Sequence, residues 1–139
     1  MGEELTEDLL QELLQSPSPS AFLSDHEPLE RTLADYLRQL LEEHGLERAT
    51  VVREAYLNPT FGYQIFTGAR QASRNKVLQI AFAMHLDLLE TNRLLQAAGA
   101  NGLYCKDRRD AIIIFCLTHA NSLQKTNETL FEYGEDTIC

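Results

Sequence analysis

Sliding the 139-residue chain along itself by 35 positions lays its last third over the segment before it. Arg74 falls on Arg109, Val77 on Ile112, Leu78 on Ile113 and Leu88 on Leu123. Thr91-Asn92 falls on Thr126-Asn127, Leu95 on Leu130, and Gly99 on Gly134. Each copy reads as an apolar helix, a turn, then a second helix of the form LxxTNxxLxxxG. A repeat of this length is one supersecondary unit, and such a unit cannot bury its apolar stripe alone. Two copies are too few for a solenoid. The C-terminal hairpin is therefore expected to stack on the preceding one and bury the run AIIIFCL, Ala111 to Leu117.

The remainder carries the same three- and four-residue apolar spacing. Leu5, Leu9, Leu10, Leu13 and Leu14 share one face of an acidic amphipathic helix, which SPSPS, Ser16 to Ser20, breaks as an extended linker. Leu29, Leu33, Tyr36, Leu37, Leu40 and Leu41 mark the next long helix, with Gly45 as its stop. A short helix over about 48–56 turns Val51, Val52 and Ala55 inward. Asn58-Pro59 reads as N-cap and first helical residue, since proline lacks an N–H that would be unpaired there anyway. That helix closes at Thr67-Gly68. Ser73 caps the following one, Asp87 with Glu90 forms a capping box, and Asn121 or Ser122 caps the last. No segment alternates as a strand does, so the chain is read as all-α. The expected organisation is an N-terminal helix and linker over 1–20, a helical domain over 21–100, and a helical hairpin over 101–139 on the same core.

Charge is distributed unevenly along this pattern. The net charge is −9, yet residues 48–86 hold Glu54 against Arg48, Arg53, Arg70, Arg74 and Lys76, for +4. The first 47 residues carry −10 and residues 87–139 carry −3. A basic island between acidic flanks says more about partners than the total does. Within it, NPTFGYQIFTGARQASRN, Asn58 to Asn75, contains no carboxylate. Arg74, repeated as Arg109 outside the island, is expected to share a packing role with it.

This order of elements resembles the lambda-repressor-like helix-turn-helix domains of the XRE family. The likeness runs over roughly Leu33 to Gly99 and is most specific at YQIFTGARQASRN, Tyr63 to Asn75. The segment from Leu103 to Gly134 is similar to the C-terminal extension of small bacterial regulators of this type. The resemblance implies a DNA-binding transcription regulator, with a second helix at about 48–56 and a recognition helix at about 59–67. Carried over by position, Arg48 contacts a phosphate, and Pro59, Thr60, Tyr63 and Gln64 face the major groove. Gln64 is suited to adenine, whose N6 and N7 match an amide. Arg70, Arg74 and Lys76 follow, where the family often meets the backbone. Gly62 departs from the pattern, standing where the family prefers an aliphatic residue. The implied partner is double-stranded DNA, bound as a homodimer on two half-sites. The alternative is a non-enzymatic adaptor of the same architecture with weakened DNA binding, its protein partner taken by the acidic N-terminal helix.

Catalytic and metal patterns are missing. His26, His44, His85 and His119 are scattered, without HExxH or paired Cys/His spacing. Ser24-Asp25-His26 is adjacent in sequence, whereas a triad is assembled in space. The three cysteines, Cys105, Cys116 and Cys139, form no CxxC and suit reduced thiols in a cytoplasm. No apolar run nears the ~20 residues of a membrane span. Neither enzymatic activity nor a cofactor, metal or membrane is expected.

Overall fold

The computed structural model describes Gln15 and residues 32–139. Apart from Gln15, the expected N-terminal helix and linker over 1–20, with Leu29, lie outside the described residues. Thr32–Cys139 forms one compact unit with seven helices: α1 Leu33–His44, α2 Arg48–Glu54, α3 Pro59–Thr67, α4 Arg74–Ala83, α5 Leu88–Ala97, α6 Arg108–Thr118 and α7 Leu123–Glu132. There is no strand among the described residues, so the chain is all-α. No described helix is long and apolar enough to cross a membrane.

Local chemistry sets the helix limits. Thr32, Asn58, Ser73, Asp107 and Ser122 each accept a backbone N–H from the first turn that follows. Of the two candidate caps for α7, Ser122 is the one used. Asp87 and Glu90 form the full reciprocal capping box on α5. These bonds satisfy donors that the helix itself cannot pair.

One turn recurs three times with a residue other than glycine in the left-handed position: Tyr56 after α2, His85 after α4 and Ala120 after α6, each with φ between 55° and 58°. In each, the N–H of the next residue returns to a carbonyl five positions back: Leu57 to Val52, Leu86 to Ala81, Asn121 to Cys116. The residue after that caps the following helix. Three helix pairs, α2–α3, α4–α5 and α6–α7, thus share a Schellman-type joint. α3, α5 and α7 each end instead at a left-handed glycine, Gly68, Gly99 and Gly134.

The two later pairs pack reciprocally. α4 meets α7 while α5 meets α6. The Arg74 guanidinium crosses to Asp110, and the Arg109 guanidinium crosses back to Asn75. Because Asp110 lies 35 positions after Asn75, these are the same contact made in both directions. Reciprocity of this kind belongs to a two-fold arrangement, not to translation along a stack. Each copy also closes on itself identically. Arg74 donates to the carbonyls of Asn101 and Gly102, and Arg109 to those of Asp136 and Thr137. Asn92 accepts the Leu103 N–H at 2.8 Å, and Asn127 the Ile138 N–H at 2.7 Å. The duplication inferred from sequence is thus present in hydrogen bonds, and the shared packing role of Arg74 and Arg109 with it.

One core serves all three pairs. Leu37 and Leu40 of α1, Val51 and Ile65 of the first pair, Leu78, Ile80, Leu94 and Leu95 of the second, and Ile113, Cys116 and Leu130 of the third belong to a single apolar cluster. The run Ala111 to Leu117 is only partly covered: Ile113, Cys116 and Leu117 are buried, Ile114 half-buried, and Phe115 is 55% exposed. Gln79 is buried on α4, where its amide donates to the Ala55 carbonyl at the end of α2. That bond ties the first pair to the second.

Candidate nucleic-acid interface

The carboxylate-free segment folds as α3 and the loop behind it. Asn58 fixes the start of α3 by accepting the N–H groups of Thr60 and Phe61 at 3.0 and 3.2 Å. Ile65 and Phe66 anchor the inner face in the core. Gly62 explains how closely α3 can lie on α2. A Cβ at this position would stand 2.5 Å from Val52 Cγ1 and 2.9 Å from Cγ2. The aliphatic residue absent from α3 is supplied across the joint by Val52.

The outer face carries Pro59, Thr60 and Tyr63, all exposed, with Gln64 half-buried at its edge. Tyr63 is 51% exposed. The Arg48 guanidinium lies over its ring, 4.4 Å from the centroid. Arg70 lies over the Phe61 ring at 5.0 Å. Phe61 itself packs against the core, so the platform under Arg70 is anchored. α3 is thus flanked by two arginines, each laid on one of its own aromatic rings. Such contacts contribute roughly 0.5–1 kcal/mol at exposed sites, enough to orient a guanidinium without consuming its charge.

Among the described residues neither Arg48 nor Arg70 has an acidic partner. Arg48 is also the first residue of α2, whose first turn holds no acid and whose N-cap Glu47 makes no side-chain bond. A cation at the positive end of a helix is electrostatically unfavourable. That cost offsets the contact with Tyr63, so fold stability gives little net reason for Arg48 to be there.

The other two basic candidates differ from these. Lys76 lies half-buried in the first turn of α4. Arg74 is fully engaged. Nη1 and Nη2 bond the Asp110 carboxylate at 2.9 and 2.8 Å, Nε bonds the Asn101 carbonyl at 3.0 Å, and Nη2 also bonds Gly102 at 3.1 Å. Asp110 is buried. Burial by itself would raise its carboxyl pKa. The Arg74 hydrogen bond, the Tyr104 N–H and the charges of Arg74 and Arg109 outweigh this and hold it below its ordinary value. Arg74 therefore belongs to the joint between the second and third pairs.

An open cleft of about 570 Å³ lies beside that joint, lined by Arg74, Asp107, Arg108, Arg109 and Glu135. Its charges answer one another: Arg108 meets Glu135 at 3.4 Å, and Arg74 meets Asp110. Among the described residues no group of three His, Cys, Asp or Glu side chains is placed to hold a metal ion.

Sequence reasoning placed Thr60, Tyr63 and Gln64 on one face. It did not foresee Phe61 and Tyr63 as supports for Arg70 and Arg48. An arginine six residues beyond Gln64 and nine beyond Phe61, across a glycine that reverses the chain, is the only sequence signal for it. No family model, curated protein or solved structure matches this chain.

Proposed function

We propose that this protein is a DNA-binding transcription regulator of the XRE type, a cytoplasmic protein acting as a homodimer with α3 presented to the major groove. One observation carries the reading. Arg48 and Arg70 rest on aromatic rings of a carboxylate-free helix and keep their charge without an acidic partner among the described residues. Thr60, Tyr63 and Gln64 share α3 with those rings, and Lys76 follows in the first turn of α4. Three phosphate contacts per subunit, from Arg48, Arg70 and Lys76, correspond to a log–log salt slope of about −2.7.

The test is a titration of a fluorescein-labelled duplex of mixed sequence at low salt, read by anisotropy. Binding in the range of about 10⁻⁴–10⁻⁶ M is expected, falling steeply with salt. A folded protein that leaves the anisotropy unchanged across that range overturns the reading.

The exposed surface of α6 favours a second role, that of a protein-binding adaptor. Phe115 is 55% exposed, whereas Ile80, its counterpart 35 positions earlier, is fully buried. Absence of duplex binding, together with self-association that Phe115→Glu abolishes in sedimentation, would favour this alternative.

A further inference from the structure

Arg70 is held at both ends by one residue. Its backbone N–H donates to the Gln64 backbone carbonyl at 3.2 Å. Its side-chain Nε donates to Gln64 Oε1 at 2.9 Å. Gly68, in the left-handed conformation with φ 86°, reverses the chain between them. The Phe61 ring supports the guanidinium face. These constraints use one of the five guanidinium N–H donors and leave both Nη groups, a planar fork, without a protein partner among the described residues. A fork of this shape matches two oxygens of one phosphate, and fixing it beforehand lowers the entropy lost on contact.

Resting on the DNA-binding reading, we infer that Gln64 is a positioning residue. It aims Arg70 at a backbone phosphate, and its contribution to affinity passes through that arginine. Base reading by its amide is not its main role. The two roles differ in what they do on DNA of no particular sequence. A base reader contributes specificity and leaves the salt dependence alone. A residue that positions a phosphate contact changes affinity for every sequence and changes the slope.

The experiment compares the full chain with Gln64→Ala, Arg70→Ala and the double variant on the same mixed-sequence duplex across a salt series. Gln64 is half-buried and Arg70 exposed at the surface, so both truncations leave the core untouched. Arg70→Ala should reduce the slope by about 0.9, which at about 0.1 M salt weakens binding about eightfold. Gln64→Ala should reproduce more than half of that loss in both readouts, and the double variant should be no weaker than Arg70→Ala alone. An unchanged slope and affinity in Gln64→Ala, or losses that add in the double variant, overturns the inference while leaving DNA binding intact. Failure of the unmutated protein to bind overturns both.

Discussion

The first helix pair and the two that follow share a joint but use arginine in opposite ways. In the α4–α7 region Arg74 and Arg109 reach into backbone carbonyls and across to Asp110 and Asn75. They lock two copies of one unit together. In the α2–α3 region Arg48 and Arg70 lie on rings and face water. The second helices differ in the same sense. α5 and α7 carry Glu90, Glu128 and Glu132, while α3 carries no carboxylate. A basic island in a sequence is therefore not one surface. It contains structural cations and presented ones, and their partners tell them apart.

The largest expected effect strikes the structural class. Arg74→Ala strands the buried Asp110 carboxylate and leaves the carbonyls of Asn101 and Gly102 short of a donor. Breaking one side of a buried pair costs about 3 kcal/mol or more, to be read from urea unfolding. Arg109 hydrogen-bonds only neutral acceptors and acts on Asp110 through its charge alone, so Arg109→Ala should cost less, about 1–2 kcal/mol. The pair also predicts a pH dependence. Asp110 has a depressed pKa in the folded state, so its stabilisation is present above the unfolded value of about 3.9. It is lost as pH falls from there through the folded value, because the unfolded chain takes up the proton first. Asp110→Asn should remove that part of the acid sensitivity.

Next in size is the contact that lets the first pair close. Gly62→Ala gains about 1 kcal/mol in helix propensity. It also forces a methyl to 2.5 Å from Val52 Cγ1, and valine is stiff at χ1 and cannot swing aside freely. Overpacking typically costs about 1–3 kcal/mol, so a net loss is expected. Val52→Ala should relieve it, giving a double variant more stable than the two single losses predict. No comparable effect is expected at the equivalent position of the second pair, where Thr91 instead bonds the Asp87 carbonyl.

Much of this fold was legible because helix ends are written in short-range chemistry. Asn58-Pro59, Ser73, Asp87 with Glu90, and Gly45 each mark a boundary through one or two bonds to adjacent backbone. The 35-residue shift was legible because Thr91-Asn92 and Thr126-Asn127 bond the same relative atoms. The third copy of the joint was hidden. Tyr56, His85 and Ala120 share a left-handed backbone and nothing in side-chain chemistry, so no alphabet match connects them. The reciprocal packing was also hidden, since a repeat does not state whether its copies stack or face each other. At the candidate interface, residue types identified the helix and its loop. The supports under Arg48 and Arg70 depend on tertiary approach, whereas the repeat of Arg74 at Arg109 already set Arg74 apart, and only its partner Asp110 had to be seen in the fold.

The asparagines grade the equivalence of the two copies. Asn92→Ala and Asn127→Ala each free one backbone N–H, of Leu103 and Ile138, worth about 1 kcal/mol apiece. The Asn92 bond fixes the loop that supplies carbonyls to Arg74, the partner of buried Asp110, whereas the Asn127 bond fixes the loop that supplies them to Arg109, which hydrogen-bonds only neutral acceptors. The loss at Asn92 should therefore be the larger in thermal unfolding. Equal losses would mean that the C-terminal copy is as firmly closed as the inner one.

The smallest stability change is expected where the functional one is clearest. Arg48→Ala removes a cation from the positive end of α2, a relief that offsets the lost contact with Tyr63. Stability should stay within about 0.5 kcal/mol of the unmutated chain. Duplex binding should nonetheless lose about 0.9 of its salt slope. Arg74→Ala, by contrast, should destabilise strongly for reasons unrelated to DNA. If Arg48→Ala instead destabilises the fold and leaves the slope unchanged, Arg48 joins the structural class, and the division between presented and structural arginines fails at its first member.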